Sequence, residues 1–145
     1  MSKENEAVAR RLIDEVWNRG NLKLLDELFT SDHVNHDPVN PAQGLEASRN
    51  VVAKYRTAFP DCRLDLEDIF SVDDKVAVRW RYSGTHRGQL EGIQPTGRHA
   101  TGQGISILRF QGNRVRESFT SWDALDMMQQ LGVITLPGKS TKAGS

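Results

Sequence analysis

The hydrophobic rhythm of the chain changes once. Between residues 6 and 17 apolar side chains fall at Ala7, Val8, Leu12, Ile13, Val16 and Trp17, three and four positions apart, which places them on one stripe of a helix. The polar stretch NRGN (18–21) interrupts that stripe, and a shorter helix is expected over 22–28 with Leu24, Leu25 and Leu28 facing inward. The next segment, TSDHVNHDP (30–38), is polar and closed by Pro38, which suits a brief edge strand or an extended loop. Helical spacing returns over 44–59 at Leu45, Val51, Val52, Tyr55 and Phe59. From residue 63 the period falls to two. Four strands are expected at 63–72, 75–84, 98–110 and 114–122, with Asp73-Asp74 and Gly112-Asn113 as tight antiparallel turns. A long loop, THRGQLEGIQPTG (85–97), separates the middle two. A last helix over 123–131 stops at Gly132.

Helices followed by a meander of long antiparallel strands define an α+β domain, expected as a single unit over 1–136 with a small, polar, disordered tail from 137. Such a sheet covers its apolar face only by curling over the helices, and the curl leaves a pocket.

Composition narrows the partners. With 145 residues the chain builds a core without disulfide or metal support. Lysine plus arginine and aspartate plus glutamate number 19 each, with no long block of either sign. That balance lacks the footprint of a nucleic-acid or membrane-surface binder and favours a small, mildly polar partner. The lone Cys62 has no disulfide or zinc partner, which fits a reducing, cytoplasmic setting. The charged start MSKENEAVARR and the lack of any apolar run near the ~20 residues of a membrane span lead to the expectation of a chain neither exported nor anchored.

Within 75–84 the alternation puts Val76, Val78, Trp80 and Tyr82 on one face and Ala77, Arg79 and Arg81 on the other. Trp80 and Tyr82 therefore either fill the core or wall a cavity for a flat ligand. His33 and His36 in DHVNHD invite a metal, but two histidines on an extended segment fall short of the three or four ligands zinc needs, so no metal is expected. His86 and His99 flank the glycine-rich loop. Asp123 stands where the last strand gives way to the last helix, beside Trp122. It is either the cap of that helix or a general acid-base at a pocket rim. The sequence carries no Gly-x-Ser-x-Gly elbow, no phosphate-cradling loop and no cysteine–histidine pair. Proton transfer on a bound organic molecule remains.

The segments VWNRGNLKLLDELFTSDHVNHDP (16–38), WRYSGTHRGQLEGIQPTGR (80–98), LRFQGNRVRES (108–118) and DALDMMQQLG (123–132) resemble the SnoaL-like polyketide cyclases, or ester cyclases, of the NTF2-like superfamily, from about Glu6 to Gly132. The resemblance implies a cone, a curved antiparallel sheet wrapped around N-terminal helices with one deep cavity. It also implies a homodimer and a small enzyme, free of cofactor and metal, that uses an aspartate as general acid-base in the intramolecular aldol closure of a carbonyl-bearing, polyketide-like molecule. The spacing from Glu117 carries that aspartate onto Asp123. Two departures matter: Phe119 stands where the family often has tryptophan, and no histidine precedes the aspartate within 103–110. His36 and Gln103 are then the candidates for holding the developing enolate. Phe59, Trp80 and Tyr82 are expected to contact the substrate, joined by Trp17, His86, Phe119 and Trp122. Three rivals share the cavity: isomerase-type chemistry, water addition to an epoxide, which wants an Asp-Arg-Asp network inside the cone, and a non-catalytic ligand-binding module, favoured if Asp123 bonds only to backbone in an apolar cavity.

Overall fold

A computed structural model describes residues 2–137; the expected tail lies, from residue 138 on, outside the described residues. Helix α1 (Ser2–Arg11) continues into a π-helical stretch, Leu12–Trp17, and a 3-10 turn, Leu22–Leu24, leads into the single turn of α2 (Leu25–Leu28). Strands β1 (Phe29–His36) and β2 (Ala42–Gln43) precede α3 (Leu45–Ala58), and β3 (Arg63–Val72), β4 (Lys75–Thr85), β5 (His99–Gln111), β6 (Arg114–Trp122) and α4 (Ala124–Gln130) complete the order.

The polar break after the first helix works as a clamp. The Asn18 backbone N–H closes the π-helical turn on the Ile13 carbonyl at 3.0 Å. Its side chain accepts from the Leu64 N–H at 2.7 Å and donates to the Leu64 carbonyl at 2.9 Å, which ties the helix end to β3. The apolar stripe then buries Val16, Leu25 and Leu28 against Val76, Val115 and Leu108 of the sheet.

The sheet order is β2-β1-β6-β5-β4-β3. All neighbours are antiparallel except β1 and β6, which run parallel. The polar segment 30–38 therefore corrects the expectation of an edge strand or loop. Its eight-residue strand lies inside the sheet, and the edge falls to the two-residue β2. The reason is physical: the inward side chains of β1, His33 and Asn35, meet a cavity that holds hydrogen-bonding groups, so the strand has no need of an apolar face.

Two glycines of β5 set the curvature where aromatic rings lean inward. In the β4–β5 register Gly104 faces Trp80 and Gly102 faces Tyr82. A Cβ at Gly104 would lie 2.4 Å from the Trp80 ring and 2.9 Å from Trp122 Cβ, and one at Gly102 would lie 2.5 Å from the Tyr82 ring. The rings lie across bare backbone, the close approach that glycine alone allows. The loop between β4 and β5 is pinned to the end of α3, with the Arg87 and Gly88 N–H groups both donating to the Ala58 carbonyl at 3.0 Å.

Gly104→Ala is expected to force Trp80 off its seat and to cost about 1–3 kcal/mol, the usual range for overpacking. Thr101→Ala, at an exposed position of the same strand, is expected to stay within about 0.5 kcal/mol. Urea denaturation of the two variants checks both, and an unchanged midpoint for Gly104→Ala would refute the seating argument.

Candidate functional site

Between the sheet and the helices lies a cavity of about 170 Å³. Trp17, Tyr55, Phe59, Trp80, Tyr82 and Trp122 give it aromatic walls, with Leu12 and Val52 among the aliphatic side chains between them. Trp122 meets two tyrosines edge-on: its ring stands at 85° to Tyr55 with centroids 6.0 Å apart, and at 89° to Tyr82 at 5.9 Å. Both arrangements place ring edges against ring faces, which the aromatic quadrupole favours.

Polar groups enter this wall at three places. The first is Asp37, just beyond β1 and 6% exposed. One carboxylate oxygen accepts from the Val39 N–H at 2.9 Å, and the other accepts from the Trp122 indole at 3.2 Å and from the Asn40 amide at 3.3 Å. A buried carboxylate is costly unless donors surround it, and here three N–H groups do. Tyr55 donates to the Asn40 side-chain oxygen at 3.1 Å, and burial pushes its phenol up to about 12.

The second place is His33, 1% exposed. Its Nδ1 lies 2.7 Å from Ser48 Oγ, its Nε2 lies 2.8 Å from Ser118 Oγ, and its ring stacks on Phe29 with centroids 3.8 Å apart. Burial pulls its pKa down to about 4, so the imidazole is neutral near pH 7, donating through one nitrogen and accepting through the other. The third place is a hydroxyl pair, Ser106 and Thr120 at 2.9 Å, on which the Trp80 indole donates at 3.1 Å.

Of the side chains singled out in the sequence, Trp17, Phe59, Trp80, Tyr82 and Trp122 share this wall. Five others stand outside it. Asp123 is exposed, and its Oδ1 accepts from the Asp126 N–H at 2.8 Å as the N-cap of α4. His36 falls on the outer face because β1 turns its odd-numbered residues inward. It bonds Glu117 at 2.9 Å and stacks on Phe119, which is also outward, at 4.5 Å. Gln103 is exposed beside Arg81, odd-numbered on a strand whose even positions point in. His86 is fully buried but sits behind Phe59, its Nδ1 accepting from the Thr96 N–H at 3.2 Å. His33 and His36 lie on opposite faces of β1, and no group of three or more metal-ligating side chains gathers among the described residues. Arg79 pairs with Asp68 outside the cone at 2.7 Å. Asp37, Asn40 and Tyr55 were not singled out. The parity of DHVNHD, with 33, 35 and 37 on one side, was the available signal.

An antiparallel-dominated sheet wrapped on N-terminal helices around an aromatic cavity defines an α+β cone of the NTF2-like kind. The chain belongs to the SnoaL-like polyketide cyclase family, whose model matches residues 7–131. It is 28% identical over 132 residues to the aklanonic acid methyl ester cyclase DauD of Streptomyces sp. (strain C5), spanning 86% of this chain and 80% of that protein. IdmH of Streptomyces antibioticus superposes with a TM-score of 0.77 at 30% identity, over 89% of this chain and 99% of IdmH. A protein of ketosteroid isomerase-like fold from Catenulispora acidiphila DSM 44928 shares the fold at 16% identity and a TM-score of 0.74, over 88% and 93% of the two chains. No helix among the described residues is long and apolar enough to cross a membrane.

The His33 pKa, lowered from 6.5 to about 4, gives a signed prediction. As pH falls from 6.5 toward 4 the unfolded chain takes up a proton that the folded chain refuses, so stability present above pH 6.5 is lost, by roughly 2–3 kcal/mol at about 1.4 kcal/mol per pH unit. His33→Gln is expected to flatten the decline between pH 6.5 and 4.5 in urea denaturation. Equal slopes in the two proteins would exclude His33 as its source.

Proposed function

We propose that the chain is a cofactor-free enzyme of the cyclase or isomerase type, which binds a carbonyl-bearing, aromatic or polyketide-like molecule in the cone and moves a proton on it. The observation that carries this reading is the Asp37 carboxylate set into an aromatic wall and held there by Trp122 and Asn40. The name of DauD, a methyl ester cyclase, supports the same class of substrate. In such a closure the carboxylate removes a proton from a carbon between electron-withdrawing groups. The resulting enolate carbon bonds to a second carbonyl carbon of the same molecule, and the proton returns to the new alkoxide. No electron leaves or enters, and a carboxylate is a sufficient base where the enolate is delocalised and hydrogen-bonded.

A second assignment of the base is favoured by one specific observation. Asp123 directly follows the lining residue Trp122 and caps α4 at the edge of the site, and after burial its charge and that of Asp126 help raise the phenol of Tyr82, another lining residue. A ligand that sheds water from the helix mouth would bring it into play. Epoxide hydration gains less support, because Asp37 is the single carboxylate among the lining residues and no arginine joins it. A pure binding module matches the backbone-only bonding of Asp123 but gives no use to a buried carboxylate.

Asp37→Asn and Asp123→Asn, assayed on aklanonic acid methyl ester and related polyketide esters, separate these readings. Loss of the acid-base is expected to lower turnover by about 10²–10⁴-fold, for Asp37→Asn under the first assignment and for Asp123→Asn under the second. The capping loss at Asp123 should cost within about 1 kcal/mol of stability. Undiminished turnover in both variants would remove the proton-transfer reading.

We also propose a homodimer formed through the outer face of the sheet. Across five strands the register aligns Phe70, Ala77, Ile107, Phe119 and His36 in one row. Phe70 is 66%, Ile107 42% and Phe119 40% exposed. Charged pairs flank the row, Arg79 with Asp68 on one side and Arg109 with Glu117 on the other. A stripe so bordered is self-complementary under a two-fold axis. Light scattering at micromolar concentration is expected to give twice the 16.3 kDa chain mass, reverting to a monomer in Ile107→Lys; a monomeric parent protein refutes the pairing.

A further inference from the structure

The turn after β1 carries more hydrogen bonds than a connection needs. In Asp37-Pro38-Val39-Asn40 the proline favours a tight turn, and the Asn40 N–H donates to the Asp37 carbonyl at 3.1 Å. The Asn40 side chain is thereby brought alongside the Asp37 carboxylate. It is 4% exposed, and its two ends are unlike. The Nδ2 end can donate to Asp37, whereas its oxygen, turned the same way, would face a carboxylate with no proton between them. Which end faces Asp37 is decided from α3. Lys54 Nζ donates to Asn40 Oδ1 at 2.8 Å, and the Tyr55 hydroxyl donates to the same oxygen at 3.1 Å. Two donors on the oxygen leave Nδ2 for Asp37, at 3.3 Å. Lys54 is itself held in place: its Nζ donates to Glu91 Oε2 at 2.7 Å and stands 5.2 Å from the centroid of the Tyr55 ring.

We propose that Lys54 is a positioning residue for the Asp37 carboxylate, acting through the Asn40 amide. The inference rests on the proposed function for what Asp37 does and adds the group that sets it in place. Of the two donors on Asn40 Oδ1, the ammonium makes the shorter, charge-assisted bond, a kind about twice as strong as a neutral one. An oxygen that accepts from a cation draws electrons from its own nitrogen, so the Nδ2–H bond to Asp37 strengthens in turn. The cation itself stays out of the cavity. No lysine or arginine is among the lining residues, and Lys54 pairs outward with Glu91, whose side chain is 61% exposed. Positive charge therefore reaches the carboxylate through a neutral amide rather than by direct contact. A carboxylate has about four acceptor positions, and the N–H groups of Val39, Asn40 and Trp122 take three of them. A lysine in direct contact would compete for the one that remains.

The test compares Lys54→Met, which keeps the stem and removes the donor, with Lys54→Gln, which keeps a neutral N–H donor. In ¹⁵N-correlated NMR spectra of the free protein, the Asn40 Nδ2 proton bonded to Asp37 and the Trp122 indole proton on the same carboxylate oxygen are expected to move upfield in Lys54→Met. Both should return part of the way in Lys54→Gln. On aklanonic acid methyl ester and related polyketide esters, Lys54→Met is expected to lower kcat about 10- to 100-fold with KM little changed, the scale of a misplaced reacting group, and Lys54→Gln to recover part of that loss. In an Asp37→Asn background the further loss from Lys54→Met should vanish, because residues that act as a unit are not additive. The proposal is overturned if both proton signals stay in place in Lys54→Met, or if Lys54→Met keeps the parent kcat while Asp37→Asn loses it. It is also overturned if Lys54→Met lowers kcat by the same factor with Asp37 and with asparagine in its place. Equal falls of several degrees in the melting temperatures of Lys54→Met and Lys54→Gln, the mark of a lysine needed for the fold, would overturn it as well. Undiminished turnover of Asp37→Asn would remove the base reading instead, and the two proton signals then decide the positioning of the carboxylate by themselves.

Discussion

The cavity depends on one indole. Trp122 ends β6, stands edge-on between Tyr55 of α3 and Tyr82 of β4, and donates its N–H to Asp37 beyond β1. One side chain thereby joins a helix, two non-adjacent strands and the turn after a third. Each ring contact of this kind is worth about 0.5–1.5 kcal/mol beyond the area it buries. The bond to Asp37 does more than add to that sum, because it is one of three donors that make a buried carboxylate tolerable. Removing the indole would open the wall and leave a charge under-paired at once, and for this reason structure and chemistry cannot be separated at this residue.

Irregular pairing makes the rest of the arrangement possible. The register slips between Leu66 and Asp68 in the β3–β4 pair, between Arg109 and Phe110 in the β5–β6 pair, and between Phe29 and Val34 in the β1–β6 pair. Each slip lets a strand change which positions face in, and it sharpens the local twist. On β6 Val115 packs in the core while Ser118, Thr120 and Trp122 line the cavity. An odd-to-even change of this kind puts apolar bulk at one end of the cone and hydrogen-bonding groups at the other. The same slips leave Phe119, Glu117 and His36 outside.

How far the sequence could be read follows from this division. Strands β3 to β6 were legible almost to the residue because each has one wet and one dry face, and the two hairpin turns carry Asp73 and Gly112 in the left-handed region that their dipeptides suggest. Trp80 and Tyr82 were legible as inward-facing because alternation on β4 holds without interruption beyond Val76, whereas the pattern left open whether they fill the core or wall a cavity. Strand β1 was harder: its inner face carries His33 and Asn35, so polarity read as exposure. Asp37 was hidden for the same reason, sitting next to a proline in what read as a loop. Asp123 offered two uses in the sequence, and the one visible in the structure is the cap of α4.

The parallel pairing of β1 with β6 also orders events in time. His36 meets Glu117 across 81 positions of chain, and β1 has as its other neighbour only the two-residue β2. During synthesis the N-terminal helices and β1 must therefore wait, with β3 to β5 able to form hairpins on their own, until the last strand arrives between β1 and β5. Contacts so distant in sequence slow the final step. Until it happens, two long open strand edges face solvent, and open edges pair with other chains. The element that builds the cavity roof is thus also the one whose late insertion protects the nascent protein from aggregation.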